Sequence, residues 1–129
     1  MTISVIGLNH KSANIEVREK FSFTADNISL LLRRIKKREQ ISEVIVVSTC
    51  NRTEIYVESQ SGIVDIKNWL LSEKEYKSFS KYLYSYEEED AIKHLFRVVA
   101  GLDSMVIGEN EVLGQVKSAY KIALENKTV

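Results

Sequence analysis

The sequence predicts an α+β fold in which an antiparallel sheet carries helices on one face. Three observations indicate this class: short β-branched segments of strand length, segments with helical periodicity between them, and the order in which the two kinds alternate. The chain has 129 residues, of which 44% are hydrophobic and 28% charged, as in one ordinary globular domain.

The first half of the chain supplies two strands with a helix between them. Residues 2–8 alternate loosely between apolar and polar and predict a strand that runs into a loop. Thr24 is a good N-cap, and apolar residues follow at the spacing of an amphipathic helix that ends in the basic segment 36–38. Residues 43–49 are β-branched and almost wholly apolar, which predicts a buried strand.

The next elements complete the sheet. Residues 50–52 interrupt the apolar strand and 53–58 alternate as a strand with one solvated face, so the two strands predict a hairpin. Gly62 precedes a short helix, and residues 81–86 predict a fourth strand. The order strand, helix, strand, strand, helix, strand is that of the ferredoxin-like (split βαβ) arrangement, which we assign to residues 1–86.

Residues 87–129 are predicted to be helical. Ser85 and Glu88 have the spacing of a capping box. The apolar stripe of the first helix is predicted to consist of Ala91, Ile92, Leu95, Phe96, Val99 and Ala100. A last helical segment carries Val112, Leu113, Val116, Ala119, Tyr120, Ala123 and Leu124.

Composition excludes several classes of site. Eighteen basic and eighteen acidic residues cancel, so net charge does not indicate a nucleic-acid-binding protein, and any such contact must come from a local patch. One cysteine excludes an internal disulfide and a cysteine-rich zinc site. The longest apolar runs have strand length and the N-terminal segment lacks the pattern of a signal peptide, so we expect a cytoplasmic protein without a membrane partner.

Cys50 is the most informative single residue. It directly follows the predicted buried strand, which places its thiol at a strand end, and the nearby cation Arg52 favours the reactive thiolate. The alternative is a small buried hydrophobic side chain without chemistry, which is the usual state of a lone cysteine after an apolar strand.

Three separated segments resemble the glutamyl-tRNA reductase family. They are residues 48–54 (STCNRTE), 7–13 (GLNHKSA) and 101–109 (GLDSMVIGE), the last continuing into 113–117 (LGQVK). They occur in the family's order and extend over nearly the whole chain. The sequence is therefore identified as similar to the N-terminal catalytic domain of that family.

The resemblance implies the first step of tetrapyrrole (porphyrin and haem) biosynthesis by the C5 pathway. In that family a cysteine attacks the glutamyl-tRNA ester to form a thioester, which NADPH reduces to glutamate-1-semialdehyde. The implied partners are glutamyl-tRNA, a second copy of the full-length protein, and the glutamate-1-semialdehyde aminomutase by channelling. No Gly-x-Gly-x-x-Gly segment occurs in the sequence, so NADPH is expected to bind a domain outside this chain.

The resemblance also implies a set of site residues. Cys50 is the nucleophile and His94 the second catalytic residue, and Arg52 would bind a substrate carboxylate. The full substrate-binding set is Thr49, Asn51, Arg52, Ser104, Glu109, Asn110, Glu111 and Gln115. By the same resemblance, the helical part 87–129 is expected to complete the glutamate pocket. By residue type and position alone, the default interpretation of His94 is a partly buried, hydrogen-bonded histidine beside an apolar stripe.

The sequence departs from the family pattern at two places. Asn14 stands where the family usually has proline, and Asn110-Glu111 stands where it usually has Pro-Gln. Because proline presets φ, these changes are expected to loosen both loops.

Two further interpretations stay open. A non-catalytic module that binds tRNA or a protein would carry a buried, structural Cys50, whereas a catalytic thiol should be exposed. A stand-alone thiol hydrolase would need Cys50 and His94 within hydrogen-bond reach. The basic cluster of residues 33–38 is predicted to be a solvated helix face rather than a phosphate-binding surface.

Overall fold

A computed structural model describes residues 2–38, 40–60, 63–101 and 111–129. The described strands are β1 (Thr2–Asn9), β2 (Ile41–Ser48), β3 (Arg52–Ser59) and β4 (Tyr84–Glu87). The α-helices are α1 (Ile15–Lys20), α2 (Ala25–Lys36), α3 (Ile63–Ser72), α4 (Glu88–Val99) and α5 (Glu111–Glu125), and a 3₁₀-helix covers Lys77–Tyr82. Within these ranges no helix is both long and apolar enough to cross a membrane.

The sheet has the predicted ferredoxin-like topology. Its strand order is β2-β3-β1-β4, and each of the three neighbouring pairs is antiparallel. The two strands joined by a helix, β1 and β2, therefore lie on either side of β3, as in a split βαβ unit. The α+β prediction is confirmed.

The main core lies between α2, α3 and one face of the sheet. Ile6 of β1 and Ile55 of β3 are cross-strand partners on that face, and both are fully buried, as are Leu32 of α2 and Ile66 of α3. Thr24 caps α2 as predicted, because its hydroxyl accepts a hydrogen bond from the Asn27 amide.

The C-terminal helices cover other parts of the sheet. Helix α4 packs against β1 and β4, and α5 packs against β2. Past α5, the Thr128 carbonyl accepts a hydrogen bond from the Val44 amide at 2.8 Å, and the Thr128 hydroxyl donates to the Val44 carbonyl at 3.0 Å. These bonds occupy polar groups on β2, which the strand order places at the edge of the sheet. The division of the chain into a ferredoxin-like part, residues 1–86, and a helical part, residues 87–129, stays a prediction.

Two sequence-based boundaries were wrong in detail. Part of the predicted loop before α2 is helix α1, and residues 77–82 form a 3₁₀-helix, so β4 begins only at Tyr84. Asn14 caps α1 through its side chain, which accepts from the Val17 amide, and its φ of −73° is one that proline also adopts. The asparagine thus has a φ that proline could also have and adds a cap, and the expected loosening of this loop stays a prediction.

The predicted start of α4 was also wrong, and its predicted apolar stripe was only partly correct. Ser85 lies in β4 and the N-cap is Glu87, without a side-chain hydrogen bond, because the chain turns directly from strand to helix with Glu88 at a φ of 50°. The side chains that α4 buries are Ala91, His94 and Val98, and Phe96 is 68% exposed. Ala91 of the predicted stripe is therefore buried as expected, whereas the other buried positions belong to His94 and Val98, which the prediction did not include.

Candidate active site

Cys50 lies exposed in the turn between β2 and β3. Thr49 closes this turn: its amide donates to the Arg52 carbonyl at 2.8 Å, and its hydroxyl accepts from the amides of Asn51 and Arg52 at 3.1 and 3.2 Å. The Cys50 Sγ lies 3.8 Å from Asn51 Oδ1, within hydrogen-bond range for sulfur. A tight, hydrogen-bonded turn therefore presents the thiol to solvent.

A cation from another element holds the same turn. Arg18 of α1 donates from Nε to the Cys50 carbonyl at 3.2 Å and from Nη1 to the Ala13 carbonyl at 3.0 Å. Its side chain also borders a cleft of about 320 Å³ together with Thr49 and Cys50. The sequence-based prediction did not include Arg18, because it overlooked the six-residue helix α1 that positions this side chain.

Arg52, predicted to bind substrate, is directed into the protein. It is 2% exposed, and its Nη1 lies 3.5 Å from Oε2 of Glu54, which is fully buried. Arg52 therefore neutralises a buried carboxylate, and its predicted contact with a substrate carboxylate stays a prediction.

Glu54 is the centre of a buried polar cluster that the sequence did not reveal. Its Oε1 accepts from the Tyr56 hydroxyl at 2.9 Å, and its Oε2 accepts from the Tyr84 hydroxyl and is hydrogen-bonded to Nε2 of His94. With Arg52, four side chains from β3, β4 and α4 thus meet one carboxylate. The only sequence signal for it was an acidic residue in the strand after Cys50.

These contacts shift the acidity of the cluster. Burial disfavours the charged carboxylate, but the hydrogen bond and charge of His94, the charge of Arg52 and the Tyr84 hydrogen bond outweigh it, so the pKa of Glu54 lies below its ordinary value. Burial and the Glu54 charge raise the pKa of the Tyr84 hydroxyl, which therefore stays protonated as a donor. Glu54 is thus an ionised acceptor at neutral pH.

Gly7 makes room for this cluster. It is the cross-strand partner of Glu54 on one side and of Tyr84 on the other. A Cβ added at Gly7 would lie 2.9 Å from both Cα and Cγ of Glu54. The missing side chain therefore lets the carboxylate of Glu54 reach across β1 toward Tyr84 and His94.

His94 is the partly buried, hydrogen-bonded histidine of the structural interpretation, and it also borders an open cleft. It is 9% exposed, and its ring lies against those of Tyr84 and Tyr86, with centres 5.3 and 4.9 Å apart. Because Nε2 is bonded to Glu54, Nδ1 is the nitrogen that remains for a ligand. The cleft, of about 640 Å³, is also lined by Asn9.

Cys50 and His94 are not hydrogen-bonded to each other. Across the described ranges, the Cys50 thiol bonds to Asn51 and the His94 ring to Glu54. The geometry therefore lacks the thiol–imidazole pair that the stand-alone hydrolase would need.

The remaining predicted site residues are only partly described. Gln115 of α5 lines a cleft of about 420 Å³ that Ser48 also borders, and Ser48 belongs in turn to the Cys50 cleft. Gln115 and Cys50 thus lie on clefts with a shared wall. Ser104, Glu109 and Asn110 lie outside the described residues, as does the side chain of Glu111.

Two basic residues near the end of α2 make contacts within the fold, and the preference for a solvated helix face over a phosphate-binding surface stays a prediction. Arg34 forms an ion pair with Glu73 at 2.9 Å, and its guanidinium lies 5.7 Å from the ring centre of Trp69. Lys36 donates to the Ile41 carbonyl at 3.4 Å. These contacts tie α2 to α3 and to β2.

Comparison with known proteins supports the resemblance found in the sequence. Residues 6–129 match the family described as the glutamyl-tRNAGlu reductase N-terminal domain. The glutamyl-tRNA reductase of Bacillus pumilus is 46% identical over 136 residues, covering 100% of this chain and 30% of the relative. That of Heliobacterium mobile is 48% identical over 126 residues, covering 94% of this chain and 28% of the relative.

A solved structure gives the same result. The glutamyl-tRNA reductase from Methanopyrus kandleri superposes with a TM-score of 0.76 at 27% identity, covering 98% of this chain and 29% of that chain. The chain therefore spans less than a third of the length of each of these three proteins.

Proposed function

The chain belongs to the family of glutamyl-tRNA reductase N-terminal domains, and we propose that it is the acyl-accepting part of such an enzyme. The Cys50 thiolate attacks the ester carbonyl that joins glutamate to the terminal ribose of the tRNA. A sulfur–carbon bond forms, the carbon–oxygen ester bond breaks, and the ribose oxygen leaves as a hydroxyl after taking up a proton. The product is a glutamyl thioester on Cys50 and a free tRNA.

The exposure of Cys50 is the observation that carries this proposal. A thiol in a solvent-facing turn is accessible to a macromolecular ester, whereas a structural cysteine would be packed among apolar side chains. The Thr49 hydrogen bonds and the Arg18 contact fix the turn, which reduces the conformational freedom that must be given up on reaching the reactive geometry. Both features favour a nucleophile over a non-catalytic module with a structural cysteine.

The buried cluster around Glu54 connects the Cys50 turn to β3 and α4. The Arg52 carbonyl accepts the hydrogen bond from the Thr49 amide that closes the turn, and Arg52 is also the first residue of β3. Its guanidinium is paired with Glu54. Glu54 in turn connects β3 to α4 through His94. In this proposal Arg52 and Glu54 position the elements around Cys50, and His94 offers Nδ1 to a ligand in the neighbouring cleft.

Reduction of the thioester requires a hydride that this chain does not supply. NADPH, the family's reductant, would provide that hydride when bound elsewhere in a full-length enzyme. The five glycines of the chain, at positions 7, 62, 101, 108 and 114, nowhere form the Gly-x-Gly spacing of a dinucleotide-binding turn. The residues here do not fit NADPH, so the proposed step ends at the thioester.

The wider role follows from the same family. We propose that the full-length protein supplies glutamate-1-semialdehyde for tetrapyrrole biosynthesis from glutamyl-tRNA. The homodimer, the channelling to an aminomutase and the cytoplasmic location stay predictions.

Thiol reactivity tests the proposal. Near neutral pH, Cys50 should react with iodoacetamide faster than a model thiol, and glutamyl-tRNA added first should block alkylation until hydroxylamine is added. Uncharged tRNA is the control, because it occupies the surface without acylating the thiol. An inert Cys50, or equal and hydroxylamine-insensitive protection by both RNAs, would favour the non-catalytic module.

A further inference from the structure

The cleft beside His94 has further lining side chains to which the proposed acyl-transfer step, apart from His94 itself, assigns no role. Its volume of about 640 Å³ is twice that of the Cys50 cleft, and it lies between the end of β1 and one side of α4. Its walls combine aromatic rings with basic side chains, whereas the Cys50 cleft is lined mainly by the turn and α1. This composition indicates a ligand with both flat rings and negative charge.

The aromatic part is a stack with one accessible ring. The centres of Tyr84 and Tyr86 lie 5.5 Å apart, and the His94 ring lies 4.9 Å from Tyr86 at an interplanar angle of 32°. Tyr86 is 39% exposed, whereas the Tyr84 hydroxyl is held by buried Glu54. The fixed rings therefore support Tyr86 as a platform on which a further flat ring can stack.

The basic part consists of cations from two elements. Lys11 follows β1, and Lys93 and Arg97 lie one helical turn apart on α4. Lys93 forms an exposed ion pair with Glu89 at 3.4 Å, of the kind that contributes little and is readily exchanged. Arg97 makes no ion pair within the described residues, so its charge is not committed to the fold. Asp90 also lines the cleft and can accept from a hydroxyl or an amino group.

The position of the cleft relates it to Cys50. Asn9 lines the cleft and is the cross-strand partner of Arg52, which lies two residues after Cys50. One end of the cleft thus begins at the same end of the sheet as the reactive turn. A ligand chain of a few units that extends along the cleft would end near Cys50.

On these grounds we propose that the cleft between β1 and α4 binds the single-stranded end of the RNA that carries the glutamyl ester. Tyr86 stacks on a base, Lys93 and Arg97 contact phosphates, and Asp90 accepts from a ribose hydroxyl or a base amino group. The inference rests on the proposed function only for the identity of the RNA. A free dinucleotide has similar chemistry, but its phosphates would lack a glycine-rich turn in this chain.

Binding measurements test this assignment without acyl transfer. In the full 129-residue chain carrying Cys50→Ser, the affinity for uncharged tRNA(Glu) and for the same RNA lacking its unpaired 3′ nucleotides is measured by fluorescence anisotropy. The variants are Lys93→Gln/Arg97→Gln and Tyr86→Ala. The control is Lys117→Gln/Lys121→Gln, which removes two exposed lysines from α5, outside the cleft.

The intact RNA should bind the unsubstituted cleft roughly tenfold more tightly than the truncated RNA. Each cleft variant should remove that advantage and bind both RNAs alike. The double variant should also reduce the slope of the salt dependence by about 0.7 for each phosphate that is no longer neutralised. The control should keep the advantage.

Other outcomes would overturn the proposal. They are equal affinity of the unsubstituted cleft for both RNAs, no binding to either, equal reductions in the control, or Lys93- and Arg97-dependent binding of NADPH instead of RNA. Because every protein in this experiment carries Cys50→Ser, none of these outcomes depends on whether the thioester can form.

Discussion

Cys50 and Glu54 lie four residues apart and have opposite surroundings. Cys50 is exposed in a turn held by backbone amides, the Thr49 hydroxyl and one arginine from another helix. Glu54 is fully buried and held by side chains from four positions. Cys50 is accessible to a substrate, whereas Glu54 is buried and stabilises the fold.

Reactivity and rigidity are thus assigned to different residues of this domain. A buried carboxylate with several partners is costly to disturb, so it fixes β1, β3, β4 and α4 relative to one another. The turn that precedes β3 is joined to this carboxylate through Arg52, so it can expose its thiol while its backbone stays held in place. Stability and chemistry should therefore respond to different substitutions.

The largest effect on stability is expected from Glu54→Ala. It removes the carboxylate that faces the buried Arg52 guanidinium and should lower the free energy of unfolding by about 3–5 kcal/mol. Urea unfolding measures the change, with Glu43→Ala as an exposed control on the neighbouring strand, expected within about 0.5 kcal/mol. Equal effects at both positions would remove the contrast on which the comparison rests.

Gly7→Ala should have the next largest effect. The new Cβ would lie closest to the Thr53 carbonyl oxygen and 2.9 Å from Glu54 Cα, and because both are backbone atoms, strands β1 and β3 must shift apart, at about 1–3 kcal/mol. Gly114→Ala is the control: nothing lies within 4 Å of its added Cβ, and alanine in helix α5 should stabilise by up to about 1 kcal/mol. Thermal unfolding of both variants should show opposite signs; a neutral Gly7→Ala would contradict the close approach.

Acid should weaken the cluster in a defined pH range. The folded-state pKa of Glu54 lies below its ordinary value of 4.5, so the ionised carboxylate stabilises the fold above about that pH. This contribution disappears as pH falls from there through the lowered pKa. Unfolding free energies at a series of pH values should therefore fall more steeply for the native chain than for Glu54→Gln, and parallel curves would exclude Glu54 as the titrating group.

The smallest effect on stability is expected from Cys50→Ser. The thiol is exposed and its hydrogen-bond partner is the neighbouring Asn51, so the change in unfolding free energy should stay within about 0.5 kcal/mol. Urea unfolding measures it beside the alkylation rate of the native thiol. A large decrease in stability would mean that Cys50 supports the turn and would favour the structural interpretation.

Much of the fold was predictable because local signals agreed with tertiary structure. The Thr24 cap, the periodicity of α2 and the apolar segment of β2 each depend on near neighbours in the sequence. Helix α1 was not predicted because six residues carry too little periodicity, although the Asn14 cap was a usable signal. The buried stripe of α4 was misassigned because a histidine, normally polar, pairs with a carboxylate from another strand.

The site was predictable only where chemistry is concentrated in one segment. Cys50 stands in a motif that identifies the family, so one short segment was sufficient to propose its role. Glu54 acquires its surroundings from β4, α4 and the space above Gly7, and none of these contacts is visible from residues adjacent in sequence. The burial of Arg52 against Glu54, which the sequence did not predict, depends on the same long-range packing.

The most direct test of the central claim is the intact mass of the chain after incubation with glutamyl-tRNA, beside the Cys50→Ser variant. If Cys50 is the nucleophile, the native chain carries a single glutamyl adduct that hydroxylamine removes and that the variant never forms. Absence of the adduct and of any Cys50-dependent deacylation, with charged tRNA demonstrably bound, would contradict the proposed nucleophile.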